Sequence, residues 1–358
     1  MERVLHVSLG EKSYDITVKA GQLDSLGARL QSVYTGGRVF VVTDTNVEPL
    51  YGARTCASLA AAGFEARLFA VPAGEKSKSL AELAHVFEAM LDFGLKRGEL
   101  VLTLGGGVVG DLGGFAAASY LRGVPFVQVP TTLLAQVDSS VGGKVAVDLP
   151  RGKNLVGAFY QPKAVFIDTS LLNTLPERTF RDGLAEVIQT AAIRDEALFA
   201  LLESCTGRAA LMEHMDEIVA ACCAVKKTVV ENDEFDLGER MLLNFGHTLG
   251  HALEAHYGFE TYGHGEAVAA GMAEIMRIAA ARGLTPHADT ARLEALLSRH
   301  GLPTDIPHEA RGAVRCGVSV DKKNLGGRLN VILLHKIGDA FIHPTDASFF
   351  GEDVWESY

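Results

Sequence analysis

Three histidines and several carboxylates fall within residues 244–266, the part of the chain best suited to metal chemistry. His247 and His251 are four residues apart, so on a helix they share one face, and Glu254 follows one turn later. His264 adds a third imidazole at the start of another predicted helix. Imidazole and carboxylate groups in this combination are typical of a divalent metal site, with zinc as the first candidate. By spacing alone His247 and His251 form the natural ligand pair, and the sequence leaves open which carboxylate completes the site.

A glycine-rich segment in the first half of the chain has the composition of a phosphate-binding turn. Gly105–Gly110 has the spacing G-x-G-x-x-G after an apolar run, and glycines there let a pyrophosphate approach the backbone at a helix N-terminus. The acidic residue expected about 20 positions later is absent, but Asp44 ends an earlier apolar run and can accept hydrogen bonds from ribose hydroxyls. The alternative is a set of packing glycines with a capping aspartate. The two features together favour nucleotide binding.

Two lysines lie in a polar, glycine-rich stretch that follows a further apolar run. Val145 stands where a P-loop needs a hydroxyl residue, so Gly142, Gly143 and Lys144 do not form a P-loop. Lys144 and Lys153 are therefore either solvated side chains or part of a phosphate site.

Short apolar runs alternate with helical stretches through the first half of the chain, which predicts βαβ units and a mostly parallel sheet. The predicted strands are Val39–Val42, Ala66–Val71, Leu100–Leu104, Phe126–Val129 and Ala164–Ile167. Ahead of them, Arg3–Val18 alternates around Gly10 and predicts an added hairpin.

After about residue 175 the apolar residues recur with a helical period. The predicted helices are Glu177–Ile193, Leu211–Glu231, Arg240–His256, Glu266–Ala281 and Thr290–His300, and only Leu329–Leu334 has the pattern of a strand. The pattern predicts an α/β domain over residues 1–172 and a mainly α-helical domain over residues 173–358.

Composition excludes several classes of protein. The chain has 358 residues, 33 Lys and Arg against 44 Asp and Glu, and a formal charge of −11, which disfavours non-specific nucleic-acid binding. Its five cysteines are odd in number and lack C-x-x-C spacing, so neither a disulfide framework nor a cysteine zinc site fits. We see no signal peptide and no apolar run long enough to span a membrane. We therefore expect a cytoplasmic protein with no nucleic-acid or membrane partner.

A nucleotide-binding domain beside a metal-binding helical domain suits the oxidation of an alcohol. A metal polarises the hydroxyl group and a nicotinamide accepts the hydride. The lysines near the glycine-rich turn indicate an anionic substrate, such as a phosphorylated one.

The chain resembles the 3-dehydroquinate synthases, within the sugar phosphate cyclases, over nearly its whole length. The shared motifs are GEKSK at 74–78, GGGVVGDLGGF at 105–115, QVPTTLLAQVDSSVGGK at 128–144, GKNLVGAFYQP at 152–162, GLAEVIQ at 183–189, NFGHTLGHALE at 244–254, HGEAVAAGM at 264–272 and DKK at 321–323. The resemblance implies the family's fold, in which a Rossmann-like, mostly parallel sheet precedes a helical domain, and which iron-dependent and glycerol dehydrogenases share.

The resemblance also implies the site residues. It assigns zinc or cobalt to Glu186, His247 and His264, so that His251 would face substrate phosphate. The implied NAD contacts are Asp44, Asn46, Glu75, Lys78, Gly106, Gly107, Asp111, Thr131, Thr132, Lys144 and Lys153. The implied substrate contacts are Asp138, Lys144, Lys153, Asn154, Lys226, Asp236, Arg240, Asn244 and His251, with Lys322 or Lys323 near the carboxylate. Arg122 matches a residue that the family donates across a homodimer interface.

The reaction implied is the conversion of 3-deoxy-D-arabino-heptulosonate 7-phosphate, a phosphorylated sugar acid, to 3-dehydroquinate and phosphate in the shikimate pathway. It proceeds by transient oxidation with NAD, β-elimination of phosphate, re-reduction and an internal aldol closure. Two positions depart from the family pattern: Gln189 replaces a phosphate-contacting lysine, and Asp236 replaces a glutamate.

Three alternatives stay open on the sequence. The first is a related cyclase acting on sedoheptulose 7-phosphate or glucose 6-phosphate, against which Arg240, Asn244 and Lys226 argue, because they would meet a carboxylate that those sugars lack. The second is a metal-dependent alcohol dehydrogenase that releases NADH. The third is a non-catalytic binding protein, which a full metal triad disfavours.

Overall fold

A computed structural model describes residues 2–236, 238–258, 260–324 and 329–351, with residues 319–324 and 347 described by their backbone alone. Contacts between residues divide the chain into two units, and each is described by itself. The first runs to Leu175 and includes Lys226–Phe235, and the second holds the rest. The sequence pattern predicts one boundary after residue 172 and does not indicate that the segment Lys226–Phe235 belongs to the first unit.

The first unit is built on a sheet of seven strands, β1 Arg3–Val7, β2 Tyr14–Val18, β3 Arg38–Asp44, β4 Glu65–Val71, β5 Leu100–Gly105, β6 Phe126–Pro130 and β9 Ala164–Ile167. Their order across the sheet is β1-β2-β9-β6-β5-β3-β4. Strands β1 and β2 form an antiparallel hairpin at one edge, and the other neighbouring strands pair in parallel. The predicted parallel sheet and its added hairpin are confirmed.

Alternation along the strands places apolar side chains on both faces of this sheet, as a doubly covered parallel sheet requires. Val41 and Leu102 pack in a core on one face, and Phe40 and Val101 pack in a core on the other. The helices of this unit are α1 Leu26–Leu30, α2 Ala53–Ala61, α3 Leu80–Phe93 and α4 Gly107–Ser119.

A two-stranded antiparallel hairpin, β7 Lys144–Leu149 with β8 Gly152–Phe159, completes the first unit. The sequence pattern predicts only a polar, glycine-rich stretch at this position and does not indicate a hairpin. Helix α4 approaches β7 closely, because a Cβ on Gly114 would lie 2.5 Å from Cγ1 of Val145. The glycines of α4 therefore serve packing as well as the turn before the helix.

The second unit is mainly helical. Its helices are α5 Glu177–Arg194, α6 Glu196–Ser204, α7 Gly207–Glu213, α8 Met215–Asn232, α9 His247–His256, α10 His264–Ala281, α11 His287–Arg299 and α12 His308–Asn324, and its strands β10 Leu329–Lys336 and β11 Asp339–Thr345 pair in an antiparallel hairpin. From Lys226 onward α8 belongs to the first unit.

Several predicted helix bounds in this unit are wrong. The predicted helix Leu211–Glu231 is two helices, α7 and α8, which meet at His214. The predicted helix Arg240–His256 is a 3-10 turn, Glu239–Asn244, followed by α9, because Gly246 has a φ of 82° and interrupts the helical conformation. Helices α6 and α12 and strand β11 were not predicted. Among the described residues no helix has the length and apolar character needed to cross a membrane.

Candidate metal and dinucleotide sites

A carboxylate and two imidazoles from three helices of the second unit converge on one point. Glu186 lies in the middle of α5, while His247 and His264 are the first residues of α9 and α10. The Oε1 atom of Glu186 is 3.6 Å from Nε2 of His247 and 3.4 Å from Nε2 of His264. The structure thus brings together the three residues that the family resemblance assigns to the metal.

The buried carboxylate of Glu186 tests whether these residues fit a metal ion. Glu186 is 4% exposed, and its Oε1 atom is buried with no hydrogen-bond partner. A buried carboxylate oxygen without a donor is costly unless a cation satisfies it. One carboxylate oxygen and two imidazole nitrogens are a common zinc donor set. The residues present therefore fit a divalent ion.

His251 also lies close to this point. One ring nitrogen each of His247, His251 and His264 fall within 4.8 Å of one another, so the pair expected from spacing alone is also brought together. His251 differs from the other two in being exposed, and its ring centroid is 5.8 Å from that of His264.

Two further carboxylates surround His264. Glu254 is buried, and its Oε2 atom is 3.4 Å from Nδ1 of His264, the ring nitrogen that faces away from Glu186. Asp182 accepts a hydrogen bond of 2.6 Å from the backbone N–H of Gly265. Burial alone would lower the pKa of His264, but in the metal-free site the carboxylates of Glu186 and Glu254 raise it to about 10, so this position attracts a cation. Spacing in the sequence brings Glu254 near the histidines without giving it a role, and it does not indicate Asp182, which lies one turn before Glu186 on the same helix.

Gln189 stands where the family has a phosphate-contacting lysine, and its side chain is held by contacts within the second unit. Its side chain is 1% exposed, and its Nε2 atom is 3.0 Å from the carbonyl oxygen of Leu243 and 2.8 Å from that of Phe245. The same atom is 3.0 Å from Nδ1 of His247. The amide is thus engaged with the backbone before α9 and with one of the candidate ligands.

The remaining expected substrate residues of the second unit lie around the 3-10 turn Glu239–Asn244. Arg240 is buried in this turn, and Asn244 is exposed at its end. Asp236 precedes it with a φ of 61°, a left-handed conformation that aspartate tolerates better than most residues. The side chains of Lys322 and Lys323 lie outside the described residues.

In the first unit, the glycines between β5 and α4 form the expected turn. Gly106 is the N-cap of α4, and Gly107 is its first residue, so the first backbone N–H groups of the helix lie here. A Cβ on Gly106 would lie 3.0 Å from Cγ2 of Thr132, and one on Gly107 would lie 3.2 Å from Oγ of Ser139. Thr131 joins this turn through its backbone N–H, which donates to the carbonyl oxygen of Gly105 at 2.9 Å. Side chains at either glycine would narrow this turn, which fits a pyrophosphate at a helix N-terminus.

Asp44 and Asn46 lie at the carboxyl end of β3. Oδ1 of Asp44 accepts hydrogen bonds from the backbone N–H groups of Asn46 at 2.8 Å and Val47 at 3.0 Å, which fixes the orientation of the carboxylate. In parallel sheets ligands bind beyond the carboxyl ends of the strands, so the position suits a ribose contact.

A buried ion pair lies beside the glycine turn. Lys78 follows the short turn Glu75–Ser77, and its Nζ atom is 2.5 Å from Oδ2 of Asp111 on α4. Burial raises the pKa of the Asp111 carboxyl to about 6, and the Lys78 ammonium opposes this rise. Burial lowers the pKa of Lys78, but the carboxylates around it, first Asp111 and then Glu75 and Asp148, together raise it above its ordinary value. The pair joins the segment after β4 to the dinucleotide turn.

A second lysine–aspartate pair involves the expected substrate residues of the first unit. Lys226 is 6% exposed, and its Nζ atom donates to the carbonyl oxygen of Asp138 at 2.6 Å and to Oδ1 at 2.5 Å. Lys144 and Lys153 are exposed on the hairpin β7–β8. Asn154, next to Lys153, has a φ of 58°.

Arg122 lies in a loop after α4 with unusual backbone geometry. Leu121 has a φ of 48° and Arg122 a φ of 66°, and both side chains are exposed. Consecutive left-handed conformations at non-glycine residues store strain and are found most often at functional sites.

Solved structures with the same architecture define the class of protein. A 2-deoxy-scyllo-inosose synthase complexed with carbaglucose-6-phosphate, NAD+ and Co2+ aligns with a TM-score of 0.87 at 25% identity, over 99% of this chain and 100% of the other. A 2-epi-5-epi-valiolone synthase from Streptomyces hygroscopicus subsp. jinggangensis 5008, with NAD+ and Zn2+ bound, aligns with a TM-score of 0.87 at 29% identity, over 98% of each chain. Fold and site therefore define a protein of the sugar phosphate cyclase class.

The particular family follows from sequence comparison. The model of the 3-dehydroquinate synthase N-terminal region matches residues 68–182, and that of the C-terminal region matches residues 183–324. The 3-dehydroquinate synthase of Clostridium beijerinckii is 49% identical over 97% of this chain and 99% of its own. That of Clostridium perfringens strain SM101 is 51% identical with the same coverage. The chain belongs to the 3-dehydroquinate synthase family.

Proposed function

We infer that the protein converts 3-deoxy-D-arabino-heptulosonate 7-phosphate to 3-dehydroquinate and phosphate. The reaction combines transient oxidation with NAD, β-elimination of phosphate, re-reduction and an intramolecular aldol closure. The observation that carries this conclusion is identity of 49% to a curated 3-dehydroquinate synthase over 97% of the chain. The second unit's carboxylate and imidazoles and the first unit's glycine turn fit the two cofactors that the reaction needs.

In this proposal Glu186, His247 and His264 hold the metal ion, with zinc and cobalt as candidates. Their convergence and the buried oxygen of Glu186 support it. A bound divalent ion acts as a Lewis acid that lowers the pKa of a coordinated hydroxyl. Glu254 contacts the outer nitrogen of His264, and a carboxylate in this position orients a ligating imidazole.

The first unit supplies the NAD site. Gly106 and Gly107 leave room for the pyrophosphate at the N-terminus of α4, and Asp44 is oriented to accept the ribose hydroxyls. Bound NAD supplies a hydride acceptor that returns the hydride later in the same turnover. Around this turn the proposed contacts with NAD are Asn46, Glu75, Lys78, Asp111, Thr131, Thr132, Lys144 and Lys153.

The charged residues of each unit set the substrate class. In the second unit, Arg240 and Asn244 would bind the substrate carboxylate, and the exposed His251 its phosphate. In the first unit, Lys144, Lys153 and Asn154 would contact the substrate beside the Lys226–Asp138 pair. A positively charged group recognises a carboxylate through charge-assisted hydrogen bonds, which a neutral sugar cannot make. Selection for a sugar acid over a neutral sugar follows from this.

Phosphate release from three substrates tests this function. The protein, loaded with NAD and zinc, is incubated with the heptulosonate phosphate, with sedoheptulose 7-phosphate and with glucose 6-phosphate, and inorganic phosphate is measured. We expect the highest kcat/KM with the heptulosonate phosphate, and Arg240→Gln should reduce it for that substrate alone. Faster turnover of either neutral sugar phosphate would reassign the protein to a related cyclase.

We further propose that the protein is a homodimer in the cytoplasm. The strained, exposed loop at Leu121 and Arg122 supports an interface that uses Arg122. The five cysteines are free thiols, which supports a reducing compartment. Sedimentation equilibrium tests the dimer, and a monomer at micromolar concentration would contradict it.

A further inference from the structure

One face of helix α5 carries Glu186 together with a residue that contacts the start of each of the other two ligand helices. Asp182, Glu186 and Gln189 are spaced four and three residues apart, so they lie in one row along α5. Glu186 is the candidate ligand in the middle of this row. The residues on either side of it are polar and face helix α10 and helix α9.

Asp182 fixes the start of α10. Its Oδ1 atom accepts hydrogen bonds from the backbone N–H of Gly265 at 2.6 Å and from that of Glu266 at 3.4 Å. These are orphan donors of the first turn of α10, and His264 is the first residue of that helix. The approach is close, since a Cβ on Gly265 would lie 1.9 Å from the carbonyl oxygen of Asp182. Asp182 therefore sets where His264 lies relative to α5.

Gln189 does the same for the start of α9. Its amide reaches the carbonyl oxygens of Leu243 and Phe245, two residues of the turn that leads into His247. The NH2 end must be the one that meets these carbonyls, because the amide oxygen would repel them. The carbonyl oxygen of Phe245 also lies 3.4 Å from Nδ1 of His247, so it can accept the Nδ1 proton and leave Nε2 to face Glu186. By holding this carbonyl, Gln189 sets the position of the imidazole and, through Phe245, its orientation.

We propose that Asp182 and Gln189 are positioning residues that align His264 and His247 with Glu186 for metal binding. This inference rests on the metal site of the proposed function. The three ligands come from distant parts of the chain. Ligands that neighbouring residues already hold in place bind a metal more tightly than ligands that become ordered only when the metal binds. The role assigned to Gln189 replaces the expected phosphate contact.

Zinc affinity of the full chain, measured by competition with a chromogenic chelator, tests the proposal. Gln189→Met removes the N–H donors at similar size, and Asp182→Ala removes the acceptor. Each should weaken zinc binding by about 10- to 100-fold, the usual effect of losing a group that orients a ligand. Gln189→Lys keeps an N–H donor and Asp182→Asn keeps an oxygen acceptor, so the zinc affinity of both should stay close to that of the parent. The visible absorption spectrum of the Co2+-loaded protein should change only in the first pair, because ligand geometry changes there.

Ile188→Val is the matched control for a merely structural effect. Ile188 is fully buried and lies outside the row formed by Asp182, Glu186 and Gln189, so its truncation should lower the melting temperature and leave zinc affinity and the Co2+ spectrum unchanged. If Gln189→Met fails to fold, Gln189→Leu also lacks the N–H donors, adds no acceptor or charge beside His247, and carries the same comparison. Parental affinity and spectrum in Asp182→Ala and in the Gln189 variant would overturn the proposal.

Two reference variants separate this proposal from the metal site on which it rests. Glu186→Gln and His264→Ala should lose zinc binding altogether. If they do and the positioning variants bind like the parent, only the present inference is wrong. If they also bind zinc like the parent, the metal site itself is wrong.

Discussion

Gly246 and Gly271 bring helices α9 and α10 into backbone contact: a Cβ on Gly271 would lie 2.1 Å from the carbonyl oxygen of Gly246. No real Cβ atom tolerates that distance to a backbone atom, so the two helices must separate if a side chain is added. Since each helix begins with a candidate metal ligand, this contact links packing of the second unit to its site.

Gly271→Ala should therefore destabilise the protein. Overpacking of this kind costs about 1–3 kcal/mol, and urea unfolding measures it. Gly312→Ala is the control, because Gly312 is exposed in α12 with nothing near its Cβ position, and alanine there should be neutral or slightly stabilising. Equal stability of the two variants would show that the contact between α9 and α10 is not tight.

Metal content distinguishes the triad from the pair expected from spacing. Chelation should abolish activity, and zinc or cobalt should restore it. His264→Ala should lose the metal, because its Nε2 atom lies 3.4 Å from Glu186, while the exposed His251 should be replaceable by alanine with the metal retained. Metal analysis of the dialysed variants measures this. Loss of metal in His251→Ala alone would make the pair His247 and His251 the site.

Cofactor preference tests the position of Asp44. A carboxylate that accepts the ribose hydroxyls repels a 2′-phosphate, so calorimetric titration should show tighter binding of NAD than of NADP. Asp44→Ala should reduce the difference in affinity between NAD and NADP. Asp24→Asn, which removes an exposed carboxylate paired with Arg54, should leave that difference unchanged. Tighter binding of NADP by the parent would refute the assignment.

The buried imidazole of His300 should make the protein less stable in weak acid. Burial lowers the pKa of this imidazole below its ordinary value of 6.5, and its Nε2 atom has no hydrogen-bond partner. In weak acid the unfolded chain therefore binds a proton at His300 more readily than the folded chain does. The contribution of neutral His300 to the free energy of unfolding is fully present above pH 6.5 and is lost as the pH falls below it. His300→Gln should lose less stability than the parent between pH 7.5 and pH 5.5 in urea unfolding. Parallel pH profiles for the two proteins would contradict the role of His300.

The sequence predicted the sheet of the first unit well, because buried parallel strands are apolar runs with clear ends. It did not predict the hairpin β7–β8, because lysines and glycines interrupt the alternation of apolar and polar residues there. From spacing it predicted His247 and His251 as ligands, since spacing reports only neighbours on one helix. Glu186 lies far earlier in the chain and was found only through the family resemblance.

The positioning residues carried no local signal either. Asp182 and Gln189 are ordinary polar residues on a helix, and their roles come from the backbone groups that folding brings to them. In the sequence, Gln189 stands out only as a departure from the family pattern, in place of a phosphate-contacting lysine. The engagement of its amide with the carbonyl oxygens before α9 is a property of tertiary structure.

The central claim is that NAD is used and regenerated within each turnover. The most direct measurement incubates the zinc-loaded protein with the heptulosonate phosphate and an amount of NAD far below that of the substrate, and follows phosphate and NADH together. We expect phosphate release that exceeds the NAD supplied many times over, with no accumulation of NADH. Phosphate release that stops when the NAD is spent would contradict regeneration of the cofactor. Accumulation of NADH without phosphate would contradict the whole reaction and identify a simple dehydrogenase.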